Sequence, residues 1–309
     1  EILRPTSFGH VCGDSIIAAL AGLALYASFA PVGWWWLSVP ALALYISRID
    51  EDRAPRALTV TFVFGMSFWL PLIDWIPLAV GTTPPWFVLA FVQTLFLMAW
   101  ALVARCTQLW AWARGPIIQA LLFALTWAGV DAARSRWPWS GFPWGSVALP
   151  QVDSSLGHLA PYGGTTLITA VVIALAVLVR RAFAARDASV IREHWFSRPA
   201  LAVIVVAAYV APLALTLPNQ AENGMLRIGV IQGDIALPGA EAYKREGEVT
   251  GNNVRASLEL ASSPELVDHP LDLAIWGEGS VDRDPLAFPA IGQAVDHAAS
   301  ALDAPVLIG

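Results

Sequence analysis

Apolar residues along this chain collect into about seven long runs, at roughly 13–29, 34–47, 57–80, 86–104, 116–133, 159–179 and 200–217. About 20 helical residues cross the ~30 Å hydrocarbon layer of a bilayer. The runs therefore predict membrane helices, the shorter ones drawing their ends from the flanking Trp-rich loops. Six further runs follow the first, which makes it a poor signal peptide. No repeat or low-complexity segment interrupts the series. Beyond residue 222 the period changes. Leu226-Arg227-Ile228-Gly229-Val230-Ile231-Gln232 reads as a short strand, a polar helical stretch follows over 240–262, and Leu271-Asp272-Leu273-Ala274-Ile275-Trp276 reads as a buried strand closed by Gly277-Glu278-Gly279. A helix over 286–302 leads to a last strand at Pro305-Val306-Leu307-Ile308. Strand, helix, strand, helix, strand is an α/β plan with a largely parallel sheet.

Composition sharpens this division. The 309 residues are 57% hydrophobic and 14% charged, against roughly 25% charge in an ordinary soluble domain. A disordered chain and a typical cytosolic enzyme are excluded. A net charge of −6 argues against nucleic acid, whose phosphates need clustered Lys and Arg. The two Cys exclude a disulfide scaffold and a Cys-rich zinc protein, and no metal or cofactor is expected. Residues 223–309 hold 13 acidic and 5 basic side chains, whereas residues 1–222 hold 11 and 13. Of the 15 Trp, only Trp276 lies in the second part. The expected plan is a transmembrane domain over 1–222 and an acidic, water-facing α/β part over 223–309, with the boundary near Pro218–Gly224. The chain opens on Glu and stops at Gly309 in a strand pattern, so a longer protein is expected.

Orientation follows from the arginines. With a cytoplasmic N-terminus, one set of loops holds Arg4, Arg48, Arg53, Arg56, Arg105, Arg114, Arg180, Arg181, Arg186, Arg192 and Arg198, and the opposite set holds only Arg134 and Arg136. Basic loops stay in the cytoplasm. Seven spans then place the acidic part outside it, in a plasma-membrane protein. Trp34, Trp35, Trp36, Trp69, Trp75, Trp86, Trp137, Trp139 and Trp144 fall near the outer interface in this arrangement. An aromatic belt is the ordinary reading; a lipid-facing platform beneath an external active site is the sharper one. Asp74 needs water or a partner. Asp131 and Arg134 have the spacing to pair on one helix face. Both are read as structural.

Two stretches carry candidate chemistry. Arg136-Trp137-Pro138-Trp139-Ser140-Gly141-Phe142-Pro143-Trp144-Gly145-Ser146-Val147-Ala148 cannot be one helix, given two Pro and two Gly among its residues beyond Trp137. A long aromatic loop with few charges belongs in the membrane interface or along a cavity. Glu278 falls at the carboxyl end of a predicted strand, where chemistry sits in parallel sheets. Between two glycines it is open to a ligand and to tuning as a general base; a solvated loop carboxylate is the plainer alternative.

Three of these stretches resemble the apolipoprotein N-acyltransferases, the actinobacterial members most of all. The Gly141-Phe142-Pro143-Trp144 loop with Gly145-Ser146-Val147-Ala148 is similar to that family's signature loop. Val230-Ile231-Gln232-Gly233-Asp234-Ile235 is similar to its first nitrilase-type strand. Ile275-Trp276-Gly277-Glu278 is similar to the strand that delivers a catalytic Glu. Order and spacing agree over nearly the whole chain. The resemblance implies a multi-pass α-helical membrane bundle with an extracytoplasmic nitrilase-like α-β-β-α sandwich, incomplete here. It implies transfer of an acyl chain from a phospholipid donor to the α-amino group of a diacylglyceryl-cysteine on a lipoprotein acceptor. The route it implies is a thioester formed by a Glu, a Lys and a Cys, of which Glu278 alone maps onto this sequence as catalytic. Gly277 stands where the family usually has Pro. The Lys and Cys are expected beyond residue 309: Cys12 and Cys106 fall in the first run and in a cytoplasmic loop, and Lys244 precedes the Glu strand. The chain alone is therefore expected to be inactive in acyl transfer. Two alternatives stand beside the enzyme. One is an inactive membrane scaffold or remnant anchoring a polyprenol-phosphate mannosyltransferase. The other is a small-molecule transporter, which would show internal repeats or broken mid-membrane helices.

Overall fold

The computed structural model describes residues 8–49, 54–184, 198–215, 224–234 and 247–309. The chain divides into two compact units, Glu1–Asp74 with Pro84–Pro218, and Trp75–Thr83 with Asn219–Gly309.

The seven apolar runs become helices α1 (Phe8–Tyr26), α2 (Ser38–Ile49), α3 (Ala54–Leu72), α5 (Pro84–Thr107), α6 (Pro116–Arg134), α7 (Ala160–Ala184) and α8 (Arg198–Val210), with a short α4 (Ile76–Val80) after α3. Among the described residues three helical stretches are long and apolar enough to cross a membrane: Pro84–Thr107, Pro116–Arg134 and Ser155–Phe183. Cys12–Tyr26 and Ala202–Ala214 are shorter apolar helices. Two expected spans depart from their runs for local reasons. The second run loses its first residues to a left-handed Gly33 and a 3₁₀ turn at Trp35–Leu37, leaving α2 with 12 residues, about 18 Å of helix. The third run breaks after Leu72, where Pro71 and a turn holding the exposed Asp74 separate α3 from α4. The polar Asp74 thus reaches water. Gly163 and Gly164 put a non-helical kink into the start of α7.

Within the bundle α1 packs on α2 and α3, α3 on α5, α5 on α6, α6 on α7, and α7 on α2 and α8. Small residues bring the backbones close, as membrane helices require when no water drives their association. A Cβ on Gly22 would lie 2.4 Å from the Phe64 carbonyl oxygen, and one on Gly65 2.6 Å from Thr94. Tyr45 stacks on Phe64 with 4.0 Å between centroids, and Trp100 meets Trp127 edge-on at 4.6 Å. Some buried polar groups pair inside the bundle: Tyr45 and Thr61 share a hydrogen bond of 2.9 Å, and the Gln151 amide donates to Ser38 Oγ at 2.7 Å.

The second unit is an α/β layer. Strands β1 (Ile228–Ile231), β2 (Leu273–Trp276) and β3 (Val306–Leu307) form a parallel sheet in the order β1-β2-β3. Helix α9 (Glu248–Ala261) and a short α10 (Pro264–Asp268) connect the first two strands, and α11 (Pro289–Leu302) the second two. Parallel strands joined in sequence by right-handed crossovers place their helices on one face, and α9 does pack against α11. The strands alternate accordingly. Ile231, Ala274 and Trp276 point into a core shared with Ala298 and Leu302. Ile228, Val230 and Leu307 stand on the other face, Val230 with 78% of its surface exposed. Asp272 locks the register where β1 and β2 begin: its carboxylate accepts from the Arg227 N–H at 2.6 Å while its own N–H donates to the Arg227 carbonyl at 2.9 Å.

Candidate active site

Glu278 sits two residues past β2, in a turn, with its side chain exposed. Among the described residues no side chain pairs with its carboxylate. Its position is set by what lies beneath. Trp276, buried, donates from Nε1 to Ser257 Oγ at 3.0 Å, and that hydroxyl donates to the Asn253 carbonyl at 2.8 Å. The Asn253 side chain, buried on α9, accepts from the Gly233 N–H at 2.8 Å and donates to the Ser280 carbonyl at 3.2 Å. It thus ties together the loops that leave β1 and β2. One turn earlier Thr250 donates from its N–H and its hydroxyl to the Asp282 carboxylate at 2.9 and 2.8 Å, and receives the Asp282 N–H at 3.1 Å. A carboxylate there satisfies the unpaired amide groups of a helix N-terminus. On the other side Ser280 donates through N–H and hydroxyl to the Gly309 carbonyl.

The glycines around the site differ in what they require. A Cβ on Gly233 would come within 2.6 Å of the Asn253 nitrogen, so the loop after β1 can lie against α9 only without a side chain. A Cβ on Gly277 would meet no atom within 4 Å; space does not dictate its identity. The sequence does not single out Thr250, Asn253 and Ser257, because 240–262 reads only as a polar helix. Their spacing is itself the signal, because it sets one stripe of small polar residues along a helix whose partners are apolar. Asn253→Ala would leave one buried N–H and one carbonyl without partners, a cost of about 1–3 kcal/mol each before relaxation. A fall in thermal midpoint, with the membrane helices unaffected, is the expected result in detergent-solubilised protein.

The second candidate region is the loop after α6. Asp131 and Arg134 do pair, at 2.5 Å, and they do more. The Arg134 guanidinium, 4% exposed, donates to the carbonyls of Phe142 and Trp144 at 2.8 and 2.7 Å. It also lies 5.1 Å over the Trp69 ring. Ser146 donates to the other Asp131 oxygen at 3.2 Å. Trp69 is therefore a core residue, and its expected place in an interfacial belt is corrected: Gly145 packs flat on its ring, where a Cβ would meet it at 2.5 Å. Trp34, Trp36, Trp75, Trp137, Trp139 and Trp144 remain exposed.

Cys12 lies on α1 and Cys106 in the last turn of α5, both free and exposed. Lys244 lies outside the described residues. Among those described, no group of three His, Cys, Asp or Glu side chains is arranged to hold a metal ion.

Long apolar helices carrying their own internal polar partners make this a membrane protein. Residues 21–178 match the model of the apolipoprotein N-acyltransferase N-terminal domain, and the chain belongs to the apolipoprotein N-acyltransferase family. It is 30% identical to the apolipoprotein N-acyltransferase of Mycolicibacterium smegmatis over 96% of this chain and 51% of that protein. With the enzyme of the same name from Ralstonia nicotianae it shares 30% identity over 71% of this chain and 42% of the relative. With that of Pseudomonas aeruginosa it shares 27%, over 97% and 58%. The chain thus spans about half the length of the curated relatives it matches.

Proposed function

We propose that this chain is the membrane domain, over 1–222, and the first part of a nitrilase-like α-β-β-α domain, over 223–309, of an enzyme that moves an acyl chain from phospholipid to the N-terminal diacylglyceryl-cysteine of lipoproteins. The observation that carries this is a family-matched helical bundle followed by a parallel α/β layer with a carboxylate at the end of its middle strand. The apolar face made by Ile228, Val230 and Leu307 supports the sandwich: a bare apolar sheet face calls for a second layer, and a second sheet is what an α-β-β-α arrangement lays there.

In this reading Glu278 is the general base. Its carboxylate takes the proton of a Cys thiol, the thiolate attacks the phospholipid ester carbonyl and breaks its C–O bond, and the departing lysophospholipid alkoxide takes that proton back; the acceptor amine then attacks the thioester, the C–S bond breaks, and the amine proton passes through the carboxylate to the released thiolate. A Lys stabilises the oxyanion. The resemblance implies that Lys and Cys, and neither is assigned to a residue of this chain. The α/β layer faces the outside of the plasma membrane and the N-terminus the cytoplasm. Contacts among the arginines support that orientation. Arg48 and Arg56 meet on the single carboxylate of Asp14, Arg105 donates to the Ile49 carbonyl at the same helix ends, and Arg181 reaches the Arg114 carbonyl. Basic side chains thus gather as the cytoplasmic rule predicts.

The test is acyl transfer by the gene's full product, reconstituted in phospholipid with a diacylglyceryl-cysteine peptide. An N-acylated peptide supports the proposal. Intact membrane insertion without acylation would favour the scaffold instead.

A further inference from the structure

The loop at 135–145 is more constrained than its position requires. Trp139 and Ser140 adopt left-handed backbone, with φ of 48° and 75°, and Gly141 follows at 78°. For a residue with a Cβ such a conformation costs roughly 1–2 kcal/mol, and it persists only where the surroundings over-determine it. They do so here. One guanidinium holds two carbonyls of the loop, the Phe142 N–H returns to the Arg134 carbonyl at 2.9 Å, and the Gly141 N–H donates to the Pro138 carbonyl at 2.8 Å. A side chain on Gly141 would strike the Ser135–Arg136 backbone at 2.2 Å. Of the three exposed Trp rings on this loop, Trp139 stands out farthest, 93% exposed.

What that ring meets follows from its neighbours in the chain. The membrane-crossing stretch Pro116–Arg134 ends where the loop begins, and Ser155–Phe183 starts shortly after it. The loop therefore lies at the level where hydrocarbon gives way to headgroups, and a Trp there is at home in lipid. The crevice between Phe64, Phe68, Trp69, Trp100 and Arg134 has only about 20 Å³ of free room, enough for about one water.

We propose that Arg134 is a positioning residue that clamps this loop so that Trp139 stands in the headgroup zone and engages the phospholipid acyl donor. The proposal rests on the acyl-transfer reading for the identity of the lipid as substrate, and its test separates the two. In a background with Cys12, Cys106 and every further Cys of the gene's full product replaced by Ser, Trp139→Cys is labelled with an environment-sensitive fluorophore and the protein is placed in phosphatidylcholine nanodiscs containing headgroup-level or mid-chain spin-labelled lipid. Stronger quenching from the headgroup position, lost when Arg134→Lys is added, is expected, because Lys keeps the charge but cannot hold Asp131 through Nε and Nη2 while Nη1 serves both carbonyls. Equal quenching with and without Arg134→Lys, or none from either lipid, overturns it. In the transfer assay Trp139→Ala and Arg134→Lys raise KM for the phospholipid by about tenfold with kcat within about threefold, and Trp139→Tyr restores most of the loss. A fall in kcat at unchanged KM, or no rescue by Tyr, contradicts the assignment. A wild-type protein that acylates nothing would refute the reaction and leave the quenching result to decide where the loop lies.

Discussion

Glu278→Gln removes acyl transfer by about 10²–10⁴-fold, the usual span for loss of a general base, while the protein still enters the membrane and unfolds at the wild-type temperature. An amide cannot accept the thiol proton. Because Glu278 is exposed and makes no ion pair among the described residues, the substitution breaks no structural contact, and stability is a clean control. The measurement is labelled acyl-enzyme formed from phospholipid, followed by transfer to a peptide. Undiminished acyl-enzyme in the Gln variant would remove Glu278 from the mechanism.

The largest stability effect is expected at Gly145. Its φ of 72° is already unfavourable for a Cβ, and that atom would sit 2.5 Å from the Trp69 ring. Trp69 is fully buried beneath Arg134 and cannot swing aside. Left-handed strain of about 1–2 kcal/mol and overpacking of about 1–3 kcal/mol together give a loss of about 2–5 kcal/mol for Gly145→Ala. Gly33→Ala is the control: φ is the same 72°, yet no atom lies within 4 Å, so only the backbone cost of about 1–2 kcal/mol remains. Thermal unfolding of the two variants in one detergent separates the terms. Equal losses would mean that the Gly145–Trp69 contact is looser than described.

Much of this architecture can be read from the chain before any coordinates. Hydrophobic run length marks seven helices because a helix buried in lipid or in other helices needs apolar residues on all sides. The β-to-α alternation after residue 222 is equally direct, and the strand ending at Trp276 can be recognised by its continuous apolar character. What the pattern conceals is where single residues override it. The third run looks continuous through Trp75, since hydrophobicity alone does not register that Pro71 and Asp74 end a helix there. Trp69 belongs by position to the interface and by contact to the core, because a cation lies over its face. Asp131 and Arg134 can be paired from spacing, but the two loop carbonyls that complete the guanidinium's hydrogen bonds lie 8 and 10 residues further on, and no periodicity links them. Asn253 is hidden for the same reason: its partners, Gly233 and Ser280, are distant in sequence and meet only once the sheet has formed.

Side-specific labelling reaches the heart of the proposal. With Cys12, Cys106 and every further Cys of the gene's full product replaced by Ser, Glu278→Cys is exposed to a membrane-impermeant maleimide in intact cells. Modification without permeabilisation is the predicted result, since the proposal puts the α/β layer outside the cytoplasm. Modification only after the membrane has been opened would put Glu278 in the cytoplasm and contradict the account.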